Sequence, residues 1–176
     1  MKNLKSILLL VLALSFVLSI SAFAADIGMS VSVDNEAPNP GDTITATVNV
    51  TENPGVILVA ARATFDTDVF SYVDDSVSTK GGILDDAASI GKSDNVLFDV
   101  GNDTAKENIT STGSLGSFQL KVKDDVAPGT TGKIDVAVEE AYNFDFDELG
   151  GSTSKSVTVA EAAVEPTAVP TAEPTA

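Results

Sequence analysis

Alternation with a period of two runs through most of the chain between Ile27 and Val159. In IGMSVSV the apolar residues Ile27, Met29, Val31 and Val33 share one side, and in TITATVNV Ile44, Ala46, Val48 and Val50 do the same. SFQLKVK separates Phe118, Leu120 and Val122 from Gln119, Lys121 and Lys123, and KIDVAVE aligns Ile134, Val136 and Val138. Successive side chains of a strand point to opposite faces, so each run predicts a strand with one buried and one solvated face. Turn formers punctuate the runs at Asn39-Pro40-Gly41-Asp42, Asn53-Pro54-Gly55, Gly81-Gly82, Ala127-Pro128-Gly129 and Gly150-Gly151. Helical spacing is weak throughout. The pattern predicts an all-β domain: a two-sheet antiparallel sandwich of about nine strands with jelly-roll topology.

One run breaks the rule. VILVAARATFD, Val56 to Asp66, is apolar for almost eight residues and interrupted only by Arg62. With Phe65 facing inward, strict alternation sends Ala63, Ala61, Val59 and Ile57 to the core. Leu58, Ala60, Arg62 and Thr64 are then left outside. An outer row with two apolar residues is either covered by another part of the chain or kept for a partner. In NVLFDVG the same logic puts Val96 and Phe98 inside and Leu97 and Asp99 outside, provided that no bulge near Asp99 inverts the parity.

The ends change the picture of what folds. MKNLKSILLLVLALSFVLSISAFA combines Lys2 and Lys5, an apolar stretch from Ile7 to Ile20 and the small-x-small step Ala22-Phe23-Ala24. That is the layout of a secretory signal peptide over residues 1–24, with too short an apolar stretch for a membrane anchor, which needs about 20 residues. At the other end, residues 161–176 repeat Pro-Thr-Ala and predict an extended linker. The folded domain is expected over residues 25–160, in a secreted or cell-surface protein.

Charge and missing residue types narrow the chemistry. The leader holds two of the ten basic residues and no acid, so residues 25–176 carry eight basic against 26 acidic groups, a net −18. Such a surface excludes nucleic acid and anionic membrane as partners. Cysteine and histidine are both absent, which removes thiol nucleophiles, histidine bases and the commonest metal ligand. The densest acid clusters are Asp66 to Asp68 and FDFDELGG, Phe144 to Gly151. The second fails as an EF-hand loop, because counting from Asp145 position 5 is Leu149 and position 12 is Ser156. Acids solvated on turns are the expected reading, with no cofactor, no metal and no catalysis. A carbohydrate-binding module of similar architecture is a rival function. Without Trp and with only Tyr72 and Tyr142, the chain lacks the usual aromatic platform for flat polysaccharides.

The order of the motifs then resembles the cohesin domains of bacterial cellulosomal scaffoldins. Pro40-Gly41-Asp42 precedes a Val-rich strand, Pro54-Gly55 leads into a strand ending in Phe65-Asp66, and Ile109-Thr110 and Gly113 precede LKVK. The likeness spans Ile27 to Val159. It implies a jelly-roll sandwich that presents one sheet face to dockerin modules of secreted polysaccharide-degrading enzymes, with the calcium carried by the dockerin. In the family the strand after the Pro-Gly turn offers outward polar residues to that contact. Here those positions are Leu58 and Ala60, a departure from the type I pattern. The expected partner-binding residues are therefore Leu58, Ala60, Arg62, Thr64, Leu97 and Asp99. The alternatives are direct polysaccharide binding and a structural or adhesion module of the cell surface.

Overall fold

The computed structural model describes residues 26–84 and 86–161; the expected leader, and the expected linker apart from Glu161, lie outside that range. The alternating runs become strands: β1 (Gly28–Val33), β2 (Thr43–Glu52), β3 (Leu58–Phe65), β4 (Phe70–Tyr72), β5 (Asp86–Ala87), β6 (Ile90–Gly91), β7 (Asn95–Gly101), β8 (Gly113–Val122), β9 (Thr131–Tyr142) and β10 (Ser152–Thr158). Two antiparallel sheets result, with orders β1-β2-β8-β4 and β10-β9-β3-β7-β5, and β6 also pairs with β7. Because β5 and β6 are two short pieces along the same edge of β7, the sandwich counts as nine strands, four against five. The chain crosses between sheets repeatedly, so the inner pairs β2–β8, β3–β9 and β3–β7 join segments distant in sequence, while β1–β2 and β9–β10 are consecutive.

Packing follows the alternation. Ile44, Ala46, Val48 and Val50 of β2 and Phe118, Leu120 and Val122 of β8 face Val59, Ala61 and Ala63 of β3, Val96, Phe98 and Val100 of β7, and Ile134 and Val136 of β9. No buried polar or charged residue interrupts this layer among the described residues. A continuous aliphatic and aromatic core of this kind accounts for folding without disulfides. Phe118 sits between Phe65 and Phe98, with ring centroids 6.4 and 6.0 Å away and tilted planes. Space for Phe98 depends on Gly116 of the opposite sheet, where a Cβ would stand 2.5 Å from the ring.

The turns carry the residues that their geometry demands. Gly41, Gly55 and Gly129 all have positive φ, in the three Pro-Gly turns where left-handed backbone favours glycine. Asp42 reinforces the first by accepting hydrogen bonds from the Asn39 backbone at 2.8 Å and its side chain at 3.1 Å. Gly150-Gly151 brings the start of β10 against the chain preceding β1, where the Ile27 amide donates to the Gly150 carbonyl at 2.7 Å.

One expectation fails at the start of β3. Alternation assigns Ile57 to the core, yet Ile57 is only half-buried, and Val56, one residue earlier, is the fully buried one. The cause is a bend before the strand begins. Val56 pairs with Ile109, while the Ile57 amide donates to the Tyr142 carbonyl and its carbonyl accepts from the Asn102 amide. The period of two holds only inside a regular strand.

Candidate docking face

The two outer faces of the sandwich differ in chemistry. On the four-stranded sheet the outward cross-strand neighbours are Thr43 with Lys121, Thr45 with Gln119, and Thr47 with Ser117 and Ser32. That surface is hydroxyl, amide and ammonium. On the five-stranded sheet β10 is also polar outside, with Ser152, Ser154, Ser156 and Thr158 exposed. Its central strands mix apolar side chains with charged ones.

Leu58, Ala60, Arg62 and Thr64 all lie on the outer side of β3, the first three half-buried and Thr64 exposed. Val59, Ala61 and Ala63 between them are fully buried, and Phe65 is 7% exposed. The β3–β7 register is unbroken and puts Ala60 opposite Asp99 and Arg62 opposite Leu97. All six residues expected from the sequence therefore share one surface. Ile90 on β6 stands opposite Leu97 and is 54% exposed, so the apolar patch reaches the far edge of the sheet.

The bulge that could have inverted β7 occurs in β9 instead. Ala61 pairs with Val138 and Ala60 with Glu140, leaving Glu139 as the extra residue. An inserted residue shifts the parity by one. Val138 and Ala141 therefore both pack inward, and Glu139 and Glu140 are both exposed. Glu139 then reaches Arg62 with both oxygens: Nε donates to Oε1 at 2.5 Å and Nη2 to Oε2 at 2.9 Å, while Nη1 donates to Asn95 Oδ1 at 2.7 Å. The bidentate contact and the bond to Asn95 fix the orientation of the guanidinium. It also raises the Arg62 pKa and lowers that of Glu139, mainly through the hydrogen bond, which outweighs the opposing desolvation with a smaller contribution from charge attraction. Beside it, Thr64, Asp135, Ala137 and Ser154 line an open depression of about 410 Å³ that continues toward β10.

The other end of β3 is apolar. Ile57, Leu58, Tyr142, Phe144 and Phe146 surround a recess of about 590 Å³ with Asn102, Asp103 and Ala105. The sequence reading missed this cluster, as it missed Glu139, Asn95 and Ile90. By composition FDFDELGG reads as a cluster of acids on a turn. Two aromatic residues alternating with acids beside a Gly-Gly turn were the available signal, because such a segment has no strand face on which to bury them.

The family model for the cohesin domain matches residues 29–160. The chain belongs to the cohesin family. Solved cohesins share its fold at low sequence identity. The seventh type I cohesin of ScaB from Pseudobacteroides cellulosolvens superposes with a TM-score of 0.62 at 16% identity, covering 82% of this chain and 98% of its own. The sixth cohesin of scaffoldin B from Acetivibrio cellulolyticus, solved in complex with a Cel5 dockerin mutant, gives 0.58 at 17% identity, covering 75% and 99%. A non-cellulosomal cohesin from the archaeon Archaeoglobus fulgidus gives 0.52 at 13%, covering 71% and 88%. Among curated protein sequences none matches this cohesin. At these identities the likeness establishes the sandwich of the cohesin domain and leaves the chemistry of its outer face to this chain's own residues.

Proposed function

We propose that this cohesin domain is a non-catalytic docking module that binds dockerin modules through the outer face of β9, β3, β7 and β6. The observation that carries the reading is the asymmetry between the two outer faces. One is uniformly hydrophilic, whereas the other presents Leu58, Ala60, Leu97 and Ile90 around a single braced arginine. Interface centres are depleted in free charge and enriched in apolar side chains and arginine. Arg62 and Glu139 neutralise each other on this patch. Asp99 and Glu140 flank Ala60 on the two neighbouring strands without an ion-pair partner among the described residues, and would meet basic groups of a partner. The Acetivibrio cellulolyticus relative in its dockerin complex supports the class of partner.

Arg62 is pre-oriented in this scheme. Its three donors on Glu139 and Asn95 fix the guanidinium plane before a partner arrives, so little side-chain entropy remains to be lost on binding. Leu58 and Ala60 supply a shallow apolar strip on which a helix can lie. The secreted, cellulosome-like setting, with the calcium resident in the dockerin, extends the same reading and rests on the leader and the Pro-Thr-Ala tail of the sequence.

The test is the double variant Leu58→Asp, Ala60→Asp measured against a panel of dockerin modules by titration calorimetry. Both positions are outward, so the variant is expected to fold with an unchanged circular dichroism spectrum. Two carboxylates in the centre of the patch should weaken binding by at least about a hundredfold, since unpaired charge buried at an interface costs several kcal/mol. Unchanged affinity in the double variant would place the contact elsewhere.

A further inference from the structure

The recess at the end of β3 has features that neither the core nor the flat docking strip explains. Phe144 and Phe146 are 42% and 77% exposed, an unusual expense of aromatic surface in a domain with few aromatic residues. Phe146 also has a φ of 64°, a left-handed conformation that disfavours any residue with a Cβ. Neither ring is there to fill the core.

The loop that carries them is firmly held. Asn143 Oδ1 accepts from the amides of Asp145 at 2.9 Å and Asp147 at 2.8 Å, and Asn143 Nδ2 donates to Asp147 Oδ2 at 2.9 Å. The Phe144 amide donates to Asn108 Oδ1 at 2.6 Å, which ties the loop to the segment before β8. Below it, the Leu149 amide returns to the Ala141 carbonyl. Side-chain-to-backbone bonds of this kind fix a loop that would otherwise fluctuate, so the two rings are presented in place. A residue kept in a strained, exposed conformation by such a network points toward binding rather than stability.

Leu58 belongs both to the docking strip and to the wall of this recess, so the two surfaces are continuous. Electrostatics indicate what enters. None of the lining residues is basic and Asp103 is acidic, while Glu140 and Glu148 raise the Tyr142 pKa, the charge of Glu140 being the largest cause. The walls are apolar and the local field is negative. That combination suits a bulky aliphatic or aromatic side chain carried next to a lysine or arginine.

We infer that Ile57, Leu58, Tyr142, Phe144 and Phe146 form a receptor for one such apolar side chain, flanked by a basic residue, on the dockerin helix that lies along β3. This rests on the docking reading and deepens it: the strip would give the general contact, and the recess would select among dockerins.

The experiment uses the same panel of dockerin modules, each titrated into wild type, the double variant Phe144→Ser, Phe146→Ser, and Asp103→Lys. Both rings project into solvent, so thermal melts should confirm that the variants fold. For the dockerins that wild type binds, loss of both rings should weaken affinity about tenfold or more. Asp103→Lys should weaken it by a smaller factor that shrinks as salt is raised. Dockerins that bind wild type and the double-Ser variant equally would overturn the receptor and leave the docking strip standing. If no dockerin binds wild type, the docking reading falls and the receptor with it. Retention of wild type, but not of the double-Ser variant, on insoluble cellulose or xylan without any dockerin would overturn the inference in favour of a sugar site.

Discussion

Phe146 offers a prediction whose sign depends on the backbone. At 77% exposure its side chain has about a quarter of its surface to lose. Full burial of a phenylalanine contributes roughly 2–3 kcal/mol, so truncation to alanine should cost only about 0.5 kcal/mol. The φ of 64° adds a second contribution. A Cβ in the left-handed region costs about 1–2 kcal/mol, and glycine removes that cost while adding about 0.4–1 kcal/mol of entropy to the unfolded chain. Phe146→Gly should therefore be more stable than Phe146→Ala by about 0.5–1 kcal/mol, the reverse of the usual order in regular structure. Urea denaturation of wild type and both variants, compared at constant slope, measures the difference. If Ala is as stable as Gly or more so, the loop does not impose the left-handed conformation. The claim that Phe146 is held in strain for a partner would then be refuted.

Other perturbations probe the core and the braced arginine. Gly116→Ala introduces a Cβ 2.5 Å from the Phe98 ring, and the overpacking should destabilise the domain by about 1–3 kcal/mol in chemical denaturation; a neutral outcome would mean that the sheets can separate there without cost. Arg62 holds Glu139 below the ordinary glutamate value of 4.5. A carboxyl whose pKa is lowered on folding adds stability that is present above its unfolded pKa and lost as the pH falls through the folded one. The pair should thus persist at pH 5 and break only below 4.5, read as a low midpoint in the Glu139 carboxyl carbon shift by NMR; a midpoint at or above 4.5 contradicts the bidentate contact. Glu139→Gln should weaken dockerin binding by less than Arg62→Ala, because Asn95 still holds one guanidinium nitrogen; calorimetry giving the opposite order would remove Arg62 from the contact.

The sandwich was legible because its strands are regular where the core needs them to be. Ile44 to Val50, Phe118 to Val122 and Val59 to Ala63 keep strict alternation, and every inward position is buried. The β3 row was legible for the same reason. What was not legible depends on irregular backbone. Ile57 left the core because the chain bends before β3, and Glu139 joined Arg62 because β9 carries one extra residue opposite Ala60 and Ala61. Neither event has a signature in local periodicity. Asn95 and Glu139 lie 33 and 77 residues from Arg62 along the chain, so only the sheet order brings them together. Phe144 and Phe146 needed a different question of the sequence: which aromatic residues have no strand face to bury them.

The central claim is that one outer face of this cohesin meets a dockerin and the other does not. The direct measurement is the footprint of a bound dockerin in backbone amide NMR spectra of isotopically labelled cohesin. Shifts should concentrate at Leu58, Ala60, Arg62, Leu97 and Asp99 and continue to Tyr142 and Phe146, while Thr45, Thr47, Gln119 and Lys121 stay unmoved. A footprint on those four residues of the hydrophilic sheet would contradict the account.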